Sequence, residues 1–261
     1  MRAETTQLWG SIGIVLLFLL EAFVSKDFRA HFTDKKELQR TLGYLISSVL
    51  VLFLTGKIGA LVKVLVPDYL HVSKITWLDY LGVFILAEGM NWGVHYIKHS
   101  GFMWRFHFQH HIDSKYTVLL TSNTHGLEVL VSGTLMSAII ALLGFSTEAI
   151  NSYFLFYALA NTYQHSSLNL SLGPLDYLIV SPRYHRVHHS KSYRLNYGST
   201  LTLWDLIMGT AHFPARHDVK TDIGIERSNE PYGFVKEMLF FLEKSETKEV
   251  SNPIFNLPAD S

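Results

Sequence analysis

The sequence predicts an all-α, integral-membrane bundle of four to five transmembrane helices, with a cytoplasmic helical cap holding a histidine-rich dinuclear metal site. Three observations predict it. Of 261 residues, 48% are hydrophobic and only 17% are charged, at the apolar edge of what a soluble domain tolerates. Five apolar runs approach the roughly 20 residues that a helix needs to cross the hydrocarbon core. Ten of the fourteen histidines lie between His95 and His189, at spacings that repeat with the period of a helix.

The first run, Leu8–Val24, reads as a retained helix. Arg2 ahead of it would also suit a signal peptide, but no small-x-small cleavage site follows and Glu21 interrupts its end. The second run, 42–66, carries Lys57 and Lys63 toward its far end, where their stems can snorkel to the interface. The third is 75–97 and the fourth 127–145. The fifth, 149–165, is joined to the fourth by a tight GFSTE turn. Short loops rich in Lys and Arg stay in the cytoplasm, and the loop 26–40 carries Lys26, Arg29, Lys35, Lys36 and Arg40. Placing it inside brings all ten clustered histidines to the same side.

Residues 166–232 mix turn signals (LGP, SPR, NYG) with short apolar stretches, which suits a cap of short helices over the inner membrane face. The stretch 232–242 has the pattern of a further amphipathic helix. One domain is therefore expected over 1–243, with its core at 81–210, followed by a polar, flexible tail at 244–261. Lys+Arg and Asp+Glu are both 22 and no basic stripe appears, which argues against a nucleic-acid partner. With no cysteine in the chain, any metal must be held by His, Asp, Glu or Asn.

Three histidine groups stand out: His95 and His99 in an HxxxH pattern, then His107, His110 and His111, then His185, His188 and His189, the last two groups both reading HxxHH. Residues three and four apart share a helix face, so each motif presents its imidazoles together. One histidine on an apolar helix is more often a satisfied core residue. Eight at this spacing reverse that reading, because neutral imidazoles packed together without a cation leave many polar atoms to satisfy. A structural zinc takes four ligands and a catalytic one about three, so eight to ten imidazoles imply two ions. Imidazole suits zinc, copper, iron and nickel alike. No Glu-x-x-His or His-Glu-x-x-His motif is present.

At HYIKH (95–99), WRFHFQHH (104–111), NTYQHSSLNLSLGPLDY (161–177), SPRYHRVHHS (181–190) and NYGSTLTLWDLIMGT (196–210), the sequence resembles the fatty acid hydroxylase/sterol desaturase superfamily of membrane di-iron oxygenases. The resemblance covers roughly 81–210. It implies two iron ions below a four-helix membrane bundle, with His95, His99, His107, His110, His111, His185, His188 and His189 as ligands. Where some members carry another HxxxH, this chain has Asn161 and His165. His165 is expected to be a ligand, and Asn161 either a ligand or the residue that orients it. His125 resembles a histidine that many members have at this point. The bland alternative for such residues is to cap a helix end.

Glu88, Asn91, His95 and His99 form one polar stripe on the third run. A carboxylate inside a membrane helix is costly, so Glu88 is a candidate to accept the remaining ring N–H of a ligand histidine, as are Glu128 and Asp205. Trp92, Trp104 and Trp204 are expected to pack or anchor.

The implied reaction is hydroxylation or desaturation of a C–H bond of a lipid, such as a fatty acyl chain or sterol, with O2 as co-substrate. Electrons must come from outside, from a ferredoxin or cytochrome with its reductase, because the chain has no Gly-x-Gly-x-x-Gly turn and no cysteine for a cluster. Two other readings compete. A membrane zinc hydrolase of an amide or ester lipid would use only three or four of the histidines. A non-catalytic metal transporter or sensor would place ligands near the bilayer midplane or on a mobile loop.

Overall fold

The computed structural model describes residues 3–65, 76–191, 194–214, 222–225 and 233–242. The expected tail at 244–261, and the boundary between the second and third runs, lie outside these residues. Among the described residues the chain is all helix and coil, with isolated antiparallel bridges at Ile179–Leu201 and Ser190–Ile223.

Five long helices form the bundle: α1 (Ala3–Val24), α3 (Lys35–Leu65), α4 (Trp77–Lys98), α6 (Gly126–Leu142) and α7 (Thr147–Gln164), with the short α2 (Lys26–Ala30) between the first two. They pack in the spatial order α3, α6, α4, α7, α1. Val83 and Ala87 of α4, Met136 and Ile140 of α6, and Ala149 and Tyr153 of α7 meet as the core. Outside this seam the helices turn apolar side chains outward, as with Phe23, Val49, Leu52 and Val131, each more than half exposed.

Among the described residues one helix, Lys35–Val62, is long and apolar enough to cross a membrane, and Leu8–Val24 and Gly126–Ile140 are shorter apolar helices. α4 and α7 are comparable in length to α1, but α4 carries Asp79, Glu88, Asn91 and His95, and α7 carries Glu148, Asn151 and Asn161. Asp79, Glu88 and His95 are buried, whereas Glu148 and Asn151 near the start of α7 are exposed. Asp79 accepts from the Ser146 backbone N–H (3.3 Å) and from its hydroxyl, tying the start of α4 to the turn that enters α7.

The stretch 26–40, read from the sequence as a loop, is largely helical. Ser25 caps α2 by accepting from Phe28 N (3.2 Å), and Asp34 caps α3 by accepting from Lys36 N (2.8 Å) and Glu37 N (3.1 Å). Glu21, near the end of α1, is fully buried and accepts from Ser166 Oγ (2.6 Å), Ser167 N and Val118 N (3.2 Å). One carboxylate thus ties the first helix to the segment that leaves α7.

Over one end of the bundle lie α5 (Trp104–His111), α8 (Pro182–His188), α9 (Leu203–Met208) and α10 (Phe234–Leu239). α10 falls within the stretch expected to be amphipathic. Its Glu237 is buried and paired with Arg40 Nε (2.8 and 2.9 Å) and the Tyr44 hydroxyl, whereas Val235 and Leu239 face outward.

Candidate metal centre

Each histidine group arrives on a helix end. α4 ends at Lys98, with His95 in its last turn and His99 just beyond. α5 is a single eight-residue helix that carries His107, His110 and His111. α8 begins on Ser181, whose hydroxyl accepts from Tyr184 N (3.3 Å), and Pro182 occupies its first turn, where a missing N–H costs nothing. Its last turn delivers His185 and His188, with His189 as the next residue. His165 follows the last residue of α7.

These elements bring nine histidines together in two sets. His95, His99, His107, His111 and His188 form one, and His110, His165, His185 and His189 form the other. All are buried except the half-buried His99. The ring Nε2 atoms converge: His99 to His188 at 3.1 Å and His107 to His111 at 3.3 Å in the first set. In the second, His110 to His165 is 3.1 Å, His165 to His185 is 3.1 Å and His185 to His189 is 3.2 Å.

The remaining ring nitrogens explain why the Nε2 atoms point inward. His95 Nδ1 donates to Tyr197 O (2.8 Å), His188 Nδ1 to Leu195 O (2.9 Å) and His165 Nδ1 to Asn161 O (2.8 Å). His107 Nδ1 lies 3.2 Å from Glu128 Oε1, which Lys98 Nζ also contacts at 2.8 Å. A neutral imidazole whose Nδ1 carries the proton has a bare lone pair on Nε2. His95, His107, His165 and His188 therefore aim lone pairs into the sets, and His95 Nε2 has no hydrogen-bond partner at all. Arg194 sits against His99 Nδ1 (2.9 Å) and stacks over Trp104 (4.8 Å).

The donor set fits a metal ion. Ligands at about 2.0–2.1 Å from a cation lie about 3.3 Å apart when tetrahedral and about 2.9 Å apart at right angles, a range that brackets the observed Nε2 separations. Protonation cannot fill the space instead. Burial holds His110, His111, His185 and His189 well below the usual imidazole range, and His188 down to about 3. Clustered bare lone pairs, buried and neutral, are what a cation satisfies.

The structure does not bring His125 or Asn161 into either set. His125 Nδ1 accepts from Leu127 N (3.1 Å), capping α6, and its Nε2 donates to Met238 O (2.9 Å). Asn161 contributes its backbone carbonyl to His165, and its side-chain oxygen accepts from Gln164 (2.8 Å). Glu88, expected to take a histidine N–H, instead accepts from the Tyr153 hydroxyl (2.8 Å) and Leu201 N (3.0 Å), because it lies two turns below His95. Asn91 donates to that same Tyr153 oxygen (2.6 Å). Asp205 acts one residue removed, bonding Tyr197 N (2.9 Å), the Tyr184 hydroxyl (2.9 Å) and Trp92 Nε1 (2.8 Å). Sequence reasoning missed the carbonyls of Tyr197 and Leu195, since any residue type can supply them, and missed Arg194.

The sequence model of the fatty acid hydroxylase family matches residues 80–210, a stretch containing all nine converging histidines. The chain belongs to the fatty acid hydroxylase family. Among curated relatives of this fatty acid hydroxylase chain, ornithine lipid hydroxylase OlsE of Rhizobium tropici is 33% identical over 145 residues, covering 54% of this chain and 44% of the relative. Alkylglycerol monooxygenase of Homo sapiens is 30% identical over 143 residues, covering 53% and 31%, and that of Danio rerio is 30% identical over 137 residues, covering 51% and 30%. The match therefore spans less than half the length of these relatives. No solved structure matches the chain significantly.

Proposed function

We propose that this chain is a multi-pass membrane enzyme whose two histidine sets hold a pair of iron ions, and which uses O2 to hydroxylate a C–H bond of a lipid. The observation that carries the reading is the convergence of nine Nε2 donors in two adjoining buried sets. The relatives are named for oxygenating ornithine lipid in one case and alkylglycerol in the other, which favours hydroxylation over desaturation and a membrane lipid as substrate. We assign one domain to 1–243, with α1, α3, α4, α6 and α7 as five spans. The cations of 26–40 favour a cytoplasmic side for the histidines, which would leave them within reach of an external ferredoxin or cytochrome with its reductase.

A reducible iron pair at these nitrogens would supply the O2-dependent C–H oxidation that no side chain here can perform. The protein's share is to hold and insulate it. Tyr197, Leu195 and Asn161 carbonyls and the Glu128 carboxylate keep ring protons on Nδ1 of four histidines, which leaves Nε2 free to bind. Tyr116, buried and in contact with the His189 and His165 rings, closes the second set from water. The outward apolar surface below the cap gives an acyl chain or sterol an approach from the bilayer.

The test is metal analysis of detergent-purified protein expressed with iron and zinc both available, beside His188→Ala and His185→Ala. We expect about two irons per chain in the parent and about one fewer in each variant, with an oxygenated lipid that carries label from 18O2. One zinc per chain with turnover indifferent to O2 would instead establish the hydrolase reading.

A further inference from the structure

The cap carries a second apolar surface that the metal centre does not use. α9 turns Leu206, Ile207 and Met208 outward, each at least 53% exposed, while its Asp205 is fully buried. Beside it, the 3-10 turn Gly173–Tyr177 and the residue after it expose Leu175 (52%) and Leu178 (49%). The two segments form one surface, because Thr202 N donates to Leu178 O (3.0 Å), Val180 N to Thr200 O (2.9 Å), and Ile179 pairs with Leu201. Charge inside and aliphatic residues outside is the reverse of what water selects.

The depth of this surface is fixed independently by its contacts with α4. Leu201 N donates to Glu88, Trp92 donates to Asp205, and the Trp204 ring lies on Gly89, where a Cβ would come within 2.7 Å of it. At about 1.5 Å per residue, these α4 positions lie about 9–15 Å below the Lys98 end. The next outward residues down α4 are Ile85 (46%) and Leu81 (44%), so the surface continues the apolar flank of that helix without a break.

We infer that α9 and the 173–178 turn form a foot of the cap embedded in the acyl region of the cytoplasmic leaflet. This rests on the multi-pass reading above. The occupant is lipid: helices lying in the interface bury an apolar face about 5–10 Å into the boundary of headgroups and chains, and the α4 contacts, about 9–15 Å below the Lys98 end, put this one at the deep limit of that range or just past it. The foot is also coupled to the metal centre. Asp205 on its inner side bonds Tyr197, whose carbonyl orients His95, and Tyr184, the neighbour of His185.

The chain has no cysteine, so single labels can be placed directly. Ile207→Cys and Leu175→Cys, each carrying an environment-sensitive fluorophore, are reconstituted in phosphatidylcholine vesicles with and without acyl-brominated lipid, and also titrated with iodide. Val49→Cys on α3 (67% exposed) is the lipid reference and Asp222→Cys the aqueous one. Metal content checks that each labelled protein is folded. The expected result is bromolipid quenching of both foot labels at about half the Val49 level or more, with iodide quenching several-fold below that at Asp222. Quenching of either foot label by iodide to the Asp222 level, with Val49 still in lipid, overturns the foot alone. Iodide access at Val49 as well overturns the multi-pass reading and the foot with it. Protection of a foot label from both quenchers gives the surface to a second copy of the chain and also overturns the inference.

Discussion

Asp205→Asn tests how the cap holds the first histidine set. The Asp205 Oδ1 atom accepts from Trp92 Nε1 (2.8 Å), Tyr197 N (2.9 Å) and Thr210 Oγ1 (2.6 Å), and Oδ2 accepts from the Tyr184 hydroxyl (2.9 Å) and Gly198 N (2.7 Å). An amide placed with its oxygen at Oδ1 keeps three of these. Its NH2 then faces two donors. The tyrosine hydroxyl can turn to accept, but the Gly198 N–H cannot, and Gly198 has no room to retreat, since a Cβ there would already lie 2.4 Å from Leu201 O. One buried donor left unpaired costs about 1–3 kcal/mol, and loss of charge weakens the three surviving bonds by up to about 1 kcal/mol each, for a total of roughly 1–6 kcal/mol. At roughly 2–4 °C per kcal/mol the middle of that range lowers the melting temperature by about 7–14 °C. Thermal unfolding in detergent reads the stability, and metal analysis reads the consequence at His95, whose orientation depends on the Tyr197 carbonyl. A melting temperature within about 2 °C of the parent, with full metal content, would refute this account of Asp205.

Two further perturbations separate the sets and the protonation states. Glu21→Ala leaves the donors of Ser166, Ser167 and Val118 without their carboxylate; a loss of about 2–4 kcal/mol is expected, with metal lost first from the set containing His165, and equal loss from both sets counts against it. For the metal-free protein, burial lowers His188 from 6.5 to about 3, so the unfolded chain takes up a proton that the folded chain refuses between those values. Stability should therefore be level above about pH 7 and fall below about 6.5, by up to about 1.4 kcal/mol per pH unit for each such histidine. Urea midpoints that stay constant from about pH 7 to pH 5 would exclude it.

The nine converging histidines were legible because helical spacing is a local property: HxxxH and HxxHH present their rings on one face wherever the helix is placed. Four of the five long helices appear near their predicted bounds for the same reason, with GFSTE turning the last two. α3 instead begins at Lys35, earlier than hydrophobicity indicates, because Asp34 supplies a cap that apolar patterning ignores. What could not be read was pairing across the chain. Arg40 meets Glu237 across 197 positions, and Glu21 meets Ser166 across 145. His125 sits in a helix-start context whose two outcomes, ligand or cap, have the same local sequence. Glu88 is a buried carboxylate, but Tyr153 and Leu201 take the place of the expected histidine partner, which depends on how far the segment leading into α9 reaches down α4.

The doublets His110-His111 and His188-His189 each send one ring to one set and the next ring to the other. Their ring centres lie 5.3 Å and 5.6 Å apart. The interval between the two histidine sets is consequently bridged by adjacent residues twice, on α5 and at the end of α8. Loop insertions, helix tilting or repacking of the outward apolar surface can translate or rotate the two sets as a unit while the gauge between them stays constant, which leaves the surroundings free to diversify around one unvarying separation.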